Sequence, residues 1–177
     1  MCIRDSFYTD LGLLSTDPDI SSDLIELFNY LSGFSKQKTY QKLLVSPTSL
    51  RKKFIFLINR EIENAKKGKK SEIIAKMNSL VDPEIIQLLY LASQTGVKIS
   101  LIIRGICCLY PQKKNLSENI TVRSIIGPFL EHSRIFWFYN DSDSEVFIGS
   151  ADWMRSCLLY TSPSPRDLST SRMPSSA

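Results

Sequence analysis

SEIIAKMNSLVDPEIIQLLYLASQTGVKISLIIRG, residues 71–105, decides the fold. Ile73 to Met77 is an apolar run of strand length. Asp82-Pro83 then opens a helix, with a carboxylate able to cap it and a proline whose fixed φ suits the first turn. Gly96 ends the helix, and Val97, Ile99, Leu101 and Ile103 alternate as a second strand. Strand, helix, strand in that order predicts parallel pairing with the helix as crossover. Upstream the unit repeats. Leu43 to Val45 is a short apolar run, and Ser46-Pro47 offers a cap and first-turn proline to a helix bearing Leu50, Phe54, Leu57, Ile58, Ile62 and Ala65. That helix dissolves into Lys66-Lys67-Gly68-Lys69-Lys70, which reads as a solvated turn. Downstream, helices stop and strands continue over 121–126, 133–139 and 145–150, the last two joined by the polar turn 140–144. The fold class expected is α/β, a mixed sheet flanked by helices.

Farther out, Thr16-Asp17-Pro18 opens a helix carrying Leu24, Leu27, Phe28 and Leu31, and residues 33–39 read as a linker. Both ends of the 177-residue chain look foreign. Met1 to Ser6 and Cys157 to Asp167 match translations, on opposite strands, of one transposase library adapter. Residues 1–6 and 156–177 are therefore set aside as translated adapter, the latter expected to be disordered. Their removal takes three basic and two acidic residues from the chain's 22 and 18, leaving 19 against 16. So mild a basic balance gives weak support to a polyanionic partner and none to nucleic acid in particular. The aromatic residues gather in the apolar strand 135–139 and do not alternate with basic ones, which disfavours a nucleic-acid groove. Cys107-Cys108 remains as the cysteine pair of the body. Sequence neighbours rarely form an unstrained disulfide or a metal site, so a zinc site is unsupported and a reducing compartment is expected. No apolar run approaches membrane-spanning length.

The one histidine, His132, lies two residues before Arg134 at the start of a strand, so both side chains share a face. If the turn holds five residues, Tyr139 opposes Glu145, which sets Arg134 opposite Ser150 and His132 opposite Asp152. An imidazole moves protons or attacks phosphorus near neutral pH, and a guanidinium steadies phosphoryl oxygens. Gly149-Ser150-Ala151-Asp152 adds a glycine that permits close backbone approach, together with two groups able to hydrogen-bond an imidazole or a phosphate. A second candidate is Arg104-Gly105 at the C-terminal end of its strand, where open α/β sheets place ligands. Lys76 and Asn78 end the preceding strand by the same logic. No metal ligands are expected in this stretch.

The His132-any-Arg134 and Gly149-Ser150-any-Asp152 pair resembles the phospholipase D superfamily pattern of His-any-Lys with Gly-Ser-any-Asn. Arg and Asp stand where an ordinary phosphodiesterase has Lys and Asn. Five separated runs, 75–83, 103–109, 116–120, 129–134 and 148–154, resemble in order the last domain of the polyphosphate kinase family, and Tyr8 to Leu14 resembles the end of its penultimate domain. The resemblance implies a phospholipase D-like fold. Residues 7–40 would be the end of the preceding catalytic domain with a linker helix, and 41–155 the last catalytic domain, incomplete at its C-terminal end. It also implies reversible transfer of the ATP γ-phosphate to polyphosphate through a phosphohistidine. The nucleophilic histidine and the Mg2+ ligands would lie upstream, so the 177 residues alone would be inactive. His132 would be a second active-site histidine, acting as acid/base or phosphate contact. Arg104 would bind nucleotide phosphates, with Lys76, Asn78, Arg134, Ser150 and Asp152 in support. Pro128 departs from the arginine of many members. ATP, ADP and polyphosphate would be the partners of a homo-oligomeric parent, cytoplasmic or peripheral to the inner membrane. A phosphodiesterase and a non-catalytic phosphate-binding module remain the alternatives.

Overall fold

The computed structural model describes residues 8–34, 39–46, 49–125 and 129–158, and for Tyr8 and Leu130 the backbone alone. The central strands form where the apolar periodicity placed them. They are β2 (Glu72–Met77), β3 (Lys98–Ile103), β4 (Ile120–Arg123), β6 (Arg134–Phe138) and β7 (Glu145–Gly149). They make one five-stranded sheet in the order β4-β3-β2-β6-β7. β4, β3 and β2 are parallel, and β6 and β7 add antiparallel strands beyond β2. A two-stranded parallel ladder joins β1 (Tyr8–Thr9) to β5 (Leu130–Glu131).

The helices are α1 (Pro18–Leu31), α2 (Leu50–Lys66), α3 (Pro83–Gln94) and a final turn, α4 (Arg155–Leu158). Asp17 and Asp82 cap α1 and α3, each accepting from the two backbone N–H groups that lack an intrahelical partner, with proline at the first position. Asp82 is fully buried and also takes the Arg51 guanidinium, tying α2 to α3. Gly96, at φ 98°, turns the chain from α3 into β3 in the left-handed region that glycine tolerates. Phe54, Leu57, Ile58 and Ile62 of α2 and Ile85 and Leu89 of α3 bury against Ile73, Ala75, Ile99, Leu101, Phe136 and Phe138. Trp153 closes this core, stacked on Phe136 with ring centroids 5.2 Å apart, while Phe54 lies 4.6 Å from Phe136.

Several expectations are corrected. α2 begins at Leu50, with Ser49 at the cap position, and not at Ser46; Pro47 lies outside the described residues. The run 43–45 forms no strand. The N–H groups of Gln41, Lys42 and Leu43 instead converge on the buried carboxylate of Asp23. Desolvation alone would raise that carboxyl, but the three donors outweigh it and its pKa is lowered. β4 ends at Arg123, and Pro128 lies outside the described residues. Disorder from residue 156 does not hold for Ser156 to Leu158, which complete α4. Leu158 is fully buried within the hydrophobic core, which the removal of its apolar surface from water favours. Residues 159–177 lie outside the described part.

Candidate functional site

The C-terminal ends of β2 and β3 and the N-terminal end of β6 meet at one end of the sheet, and the candidate side chains gather there. The β6–β7 register differs by one from expectation. Arg134 pairs with Gly149, and Phe138 with Glu145. Tyr139 leaves the β7 ladder, and the connection then uses three consecutive left-handed residues, Asn140, Asp141 and Ser142. Counting a five-residue turn therefore slipped by one, which moves a side chain to the other face of a pleated strand. Ser150 is exposed and not opposite Arg134, and the space a side chain would occupy at Gly149 is open, so no close backbone approach explains that glycine.

Asp152 reaches Arg134 and not His132. Its oxygens lie 3.2 and 3.3 Å from Arg134 Nε and Nη2, a two-pronged ion pair, and Oδ1 also accepts from the Asn78 backbone N–H at 2.8 Å. Trp153 fixes the segment from behind, its carbonyl accepting from Val81 and Asp82. The Asn78 amide is satisfied at both ends when its oxygen faces Arg134 Nη2 (2.5 Å) and its nitrogen the Glu131 carbonyl (3.1 Å). Arg134 Nη1 donates to the His132 carbonyl at 2.7 Å and lies 3.0 Å from each ring nitrogen.

One residue of this constellation escaped the sequence reading. Asp10 Oδ2 sits 2.8 Å from His132 Nδ1. The β1–β5 ladder brings it there, and the His132 N–H donates to the Thr9 carbonyl. A carboxylate only accepts, so the proton belongs on Nδ1, while Arg134 Nη1 lies equally near both ring nitrogens. The hydrogen bond from His132, with help from the Leu11 N–H, lowers the pKa of Asp10. The segment 7–14 carried no spacing signal toward residue 132. Only the pairing of two very short strands reveals the link.

Arg104 follows β3 beside Asn78. The Gly105 N–H donates to the Asn78 carbonyl at 2.8 Å, and a Cβ at Gly105 would stand 3.0 Å from that oxygen, so this glycine does serve a close approach. Arg104 Nη1 is buried and has no hydrogen-bond partner among the described residues. Lys76 is placed differently. It lies on the sheet face away from Arg134, bonded to Ser133 Oγ at 2.5 Å and paired with Glu131 at 3.1 Å. The structure thus brings together His132, Arg134, Asp152 and Asn78, adds Asp10, places the backbone of Arg104 at the same end of the sheet beside Met77 and Asn78, and leaves Lys76 and Ser150 apart. Among the described residues no group of three or more His, Cys, Asp and Glu side chains could hold a metal ion. Among them also, no helix is long and apolar enough to cross a membrane.

A mixed sheet under helices with this histidine site at one strand end defines a phospholipase D-like domain. A family model described as Polyphosphate kinase C-terminal domain 2 matches residues 43–160, and the chain belongs to the polyphosphate kinase family. It is 67% identical over 147 residues to the polyphosphate kinase of Prochlorococcus marinus, covering 83% of this chain and 21% of that protein. To that of Staphylococcus epidermidis it is 51% identical, covering 83% and 20%. The crystal structure of polyphosphate kinase from Porphyromonas gingivalis superposes with a TM-score of 0.78 at 44% identity, covering 81% of this chain and 22% of that one. The chain thus spans about a fifth of the length of the relatives it matches.

Proposed function

We propose that these residues form the His132–Arg104 side of the active site of an ATP:polyphosphate phosphotransferase, a polyphosphate kinase. The observation that carries the reading is the half-exposed His132, held between Asp10 and a buried Arg134–Asp152 pair, at the end of the sheet where Arg104 follows β3 with a guanidinium nitrogen that has no partner among the described residues. In this reading Arg104 neutralises phosphoryl oxygens of ATP. His132 exchanges a proton with the phosphate in transit and holds it in line. The phosphorylated histidine and the Mg2+ ligands belong to the part of the family's chain outside these residues. Residues 1–177 alone are accordingly expected not to turn over. The full protein would be a homo-oligomer working in the cytoplasm on ATP, ADP and polyphosphate.

The test is phosphoryl transfer from γ-labelled ATP by the full-length protein carrying this segment. The intact protein is expected to form acid-labile phosphoprotein and polyphosphate, and His132→Ala to lose the polymer. An intact protein that is inert toward ATP, or that cleaves phosphodiesters instead, overturns the reading.

A further inference from the structure

We infer that Arg134 is a positioning residue whose guanidinium is committed to holding His132, leaving the contact with substrate phosphate to Arg104. The inference rests on the proposed function, since it divides labour within that site. An arginine presents its donors on three nitrogens. In Arg134 each nitrogen already has a protein partner: Nε and Nη2 face Asp152, Nη2 also faces the Asn78 amide, and Nη1 holds the His132 carbonyl and ring edge. Arg134 and Asp152 are 7% and 6% exposed, so the pair is withdrawn from solvent and its charge is met internally. Asp152 is in turn held by the Asn78 N–H and by the buried Trp153 next to it. No donor of Arg134 points outward to a ligand.

Arg104 is the complement. Its backbone N–H is tied to the Met77 carbonyl, yet its Nη1 is buried with no acceptor among the described residues. A buried donor left unmatched is costly, and an anionic oxygen is the partner that satisfies it best. Lysine at 134 could place one ammonium near Asp152 or near His132 but could not span both, because it lacks the planar fork. Aspartate at 152 then follows from arginine at 134: the two depart together from the Lys and Asn of phosphodiesterases because they form one support.

The decisive experiment compares Arg134→Lys, Asp152→Asn and Arg104→Lys in the full-length protein by steady-state kinetics in ATP. The first two are expected to lower kcat about 10- to 100-fold, the effect of misplacing a reacting group, with KM for ATP within about twofold. Arg104→Lys is expected to raise KM. As a second readout, the imidazole nitrogen resonances of His132, recorded at fixed pH in the 177-residue chain, where it is the one histidine, are expected to move in Arg134→Lys and Asp152→Asn and to stay in place in Arg104→Lys. A rise in KM with kcat intact for Arg134→Lys shows that Arg134 touches substrate and overturns the inference; unmoved imidazole resonances overturn it as well. If the unmutated protein makes no polyphosphate, the functional reading falls, and the resonances still decide whether Arg134 positions the ring.

Discussion

Two arginine–carboxylate arrangements sit at opposite ends of β6, and they are built on different principles. At the N-terminal end, Arg134 and Asp152 are fully matched and support a histidine that remains half-exposed. At the C-terminal end, Glu61 of α2 is fully buried and accepts from the Asn140 N–H, while Arg60 pairs with Glu145. There Arg60 Nη2 also pairs with Glu61 Oε1 at 3.7 Å, but Arg60 Nε and Nη2 and Glu61 Oε2 find no hydrogen-bond partner among the described residues. Burial raises the pKa of Glu61 against the opposing pull of Asn140 and Arg60. The first arrangement consumes every donor to fix one outward-facing group. The second uses a buried carboxylate to seat the turn between β6 and β7. Charge and burial alone do not separate a reactive site from a structural one; what distinguishes them is whether the network ends on a group that still faces solvent.

The largest effect that tests this contrast is on stability. Arg134→Met removes one partner of a buried pair and strands the Asp152 carboxylate, which costs about 3–5 kcal/mol. Urea unfolding of the chain measures it, and a loss below about 1 kcal/mol would mean that the pair behaves like a surface contact and supports nothing. A smaller effect is expected at the other end. A carboxyl whose folded pKa is raised contributes stability that is full below its ordinary value of 4.5 and is lost as pH rises through the raised value. Unfolding midpoints measured from pH 4 upward should therefore fall across that window in the unmutated chain. Glu61→Gln keeps the acceptor for Asn140 and should flatten the fall. An unchanged slope would place the pH dependence on another group.

The same contrast explains what could be read from the sequence. β2, α3 and β3 were legible because their signals are local: apolar runs, an Asp-Pro start and a glycine stop within 35 residues of one another. The positions of Arg104 and Asn78 directly after strand ends were legible for the same reason. The register of β6 on β7 was not, since Asn140, Asp141 and Ser142 take left-handed conformations that glycine usually advertises. One residue of slip exchanged Ser150 for Gly149 opposite Arg134. Lys76 parts from Arg134, pairing with Glu131 and Ser133, because a strand-end position does not say which face a side chain takes once the partner strand is unknown. Asp10 was invisible: it meets His132 across 122 positions through two strands of two residues each.

Asp10 therefore supplies the smallest and sharpest test of the contrast. Its carboxylate is 55% exposed, and water screens its attraction for the ring. The lowered pKa makes its contribution present above the ordinary value of 3.8 and lost as pH falls through the lowered one. Because that contribution is solvent-screened, Asp10→Asn should leave the urea midpoint at neutral pH unchanged. The imidazole should nevertheless respond, since an amide can donate as well as accept and no longer requires the proton on Nδ1. Nitrogen resonances of His132 are thus expected to lose the preference for the Nδ1–H tautomer while the fold is retained. If unfolding instead shifts as far as for Arg134→Met, Asp10 is part of the framework, and the open end of β6 is organised like the closed one.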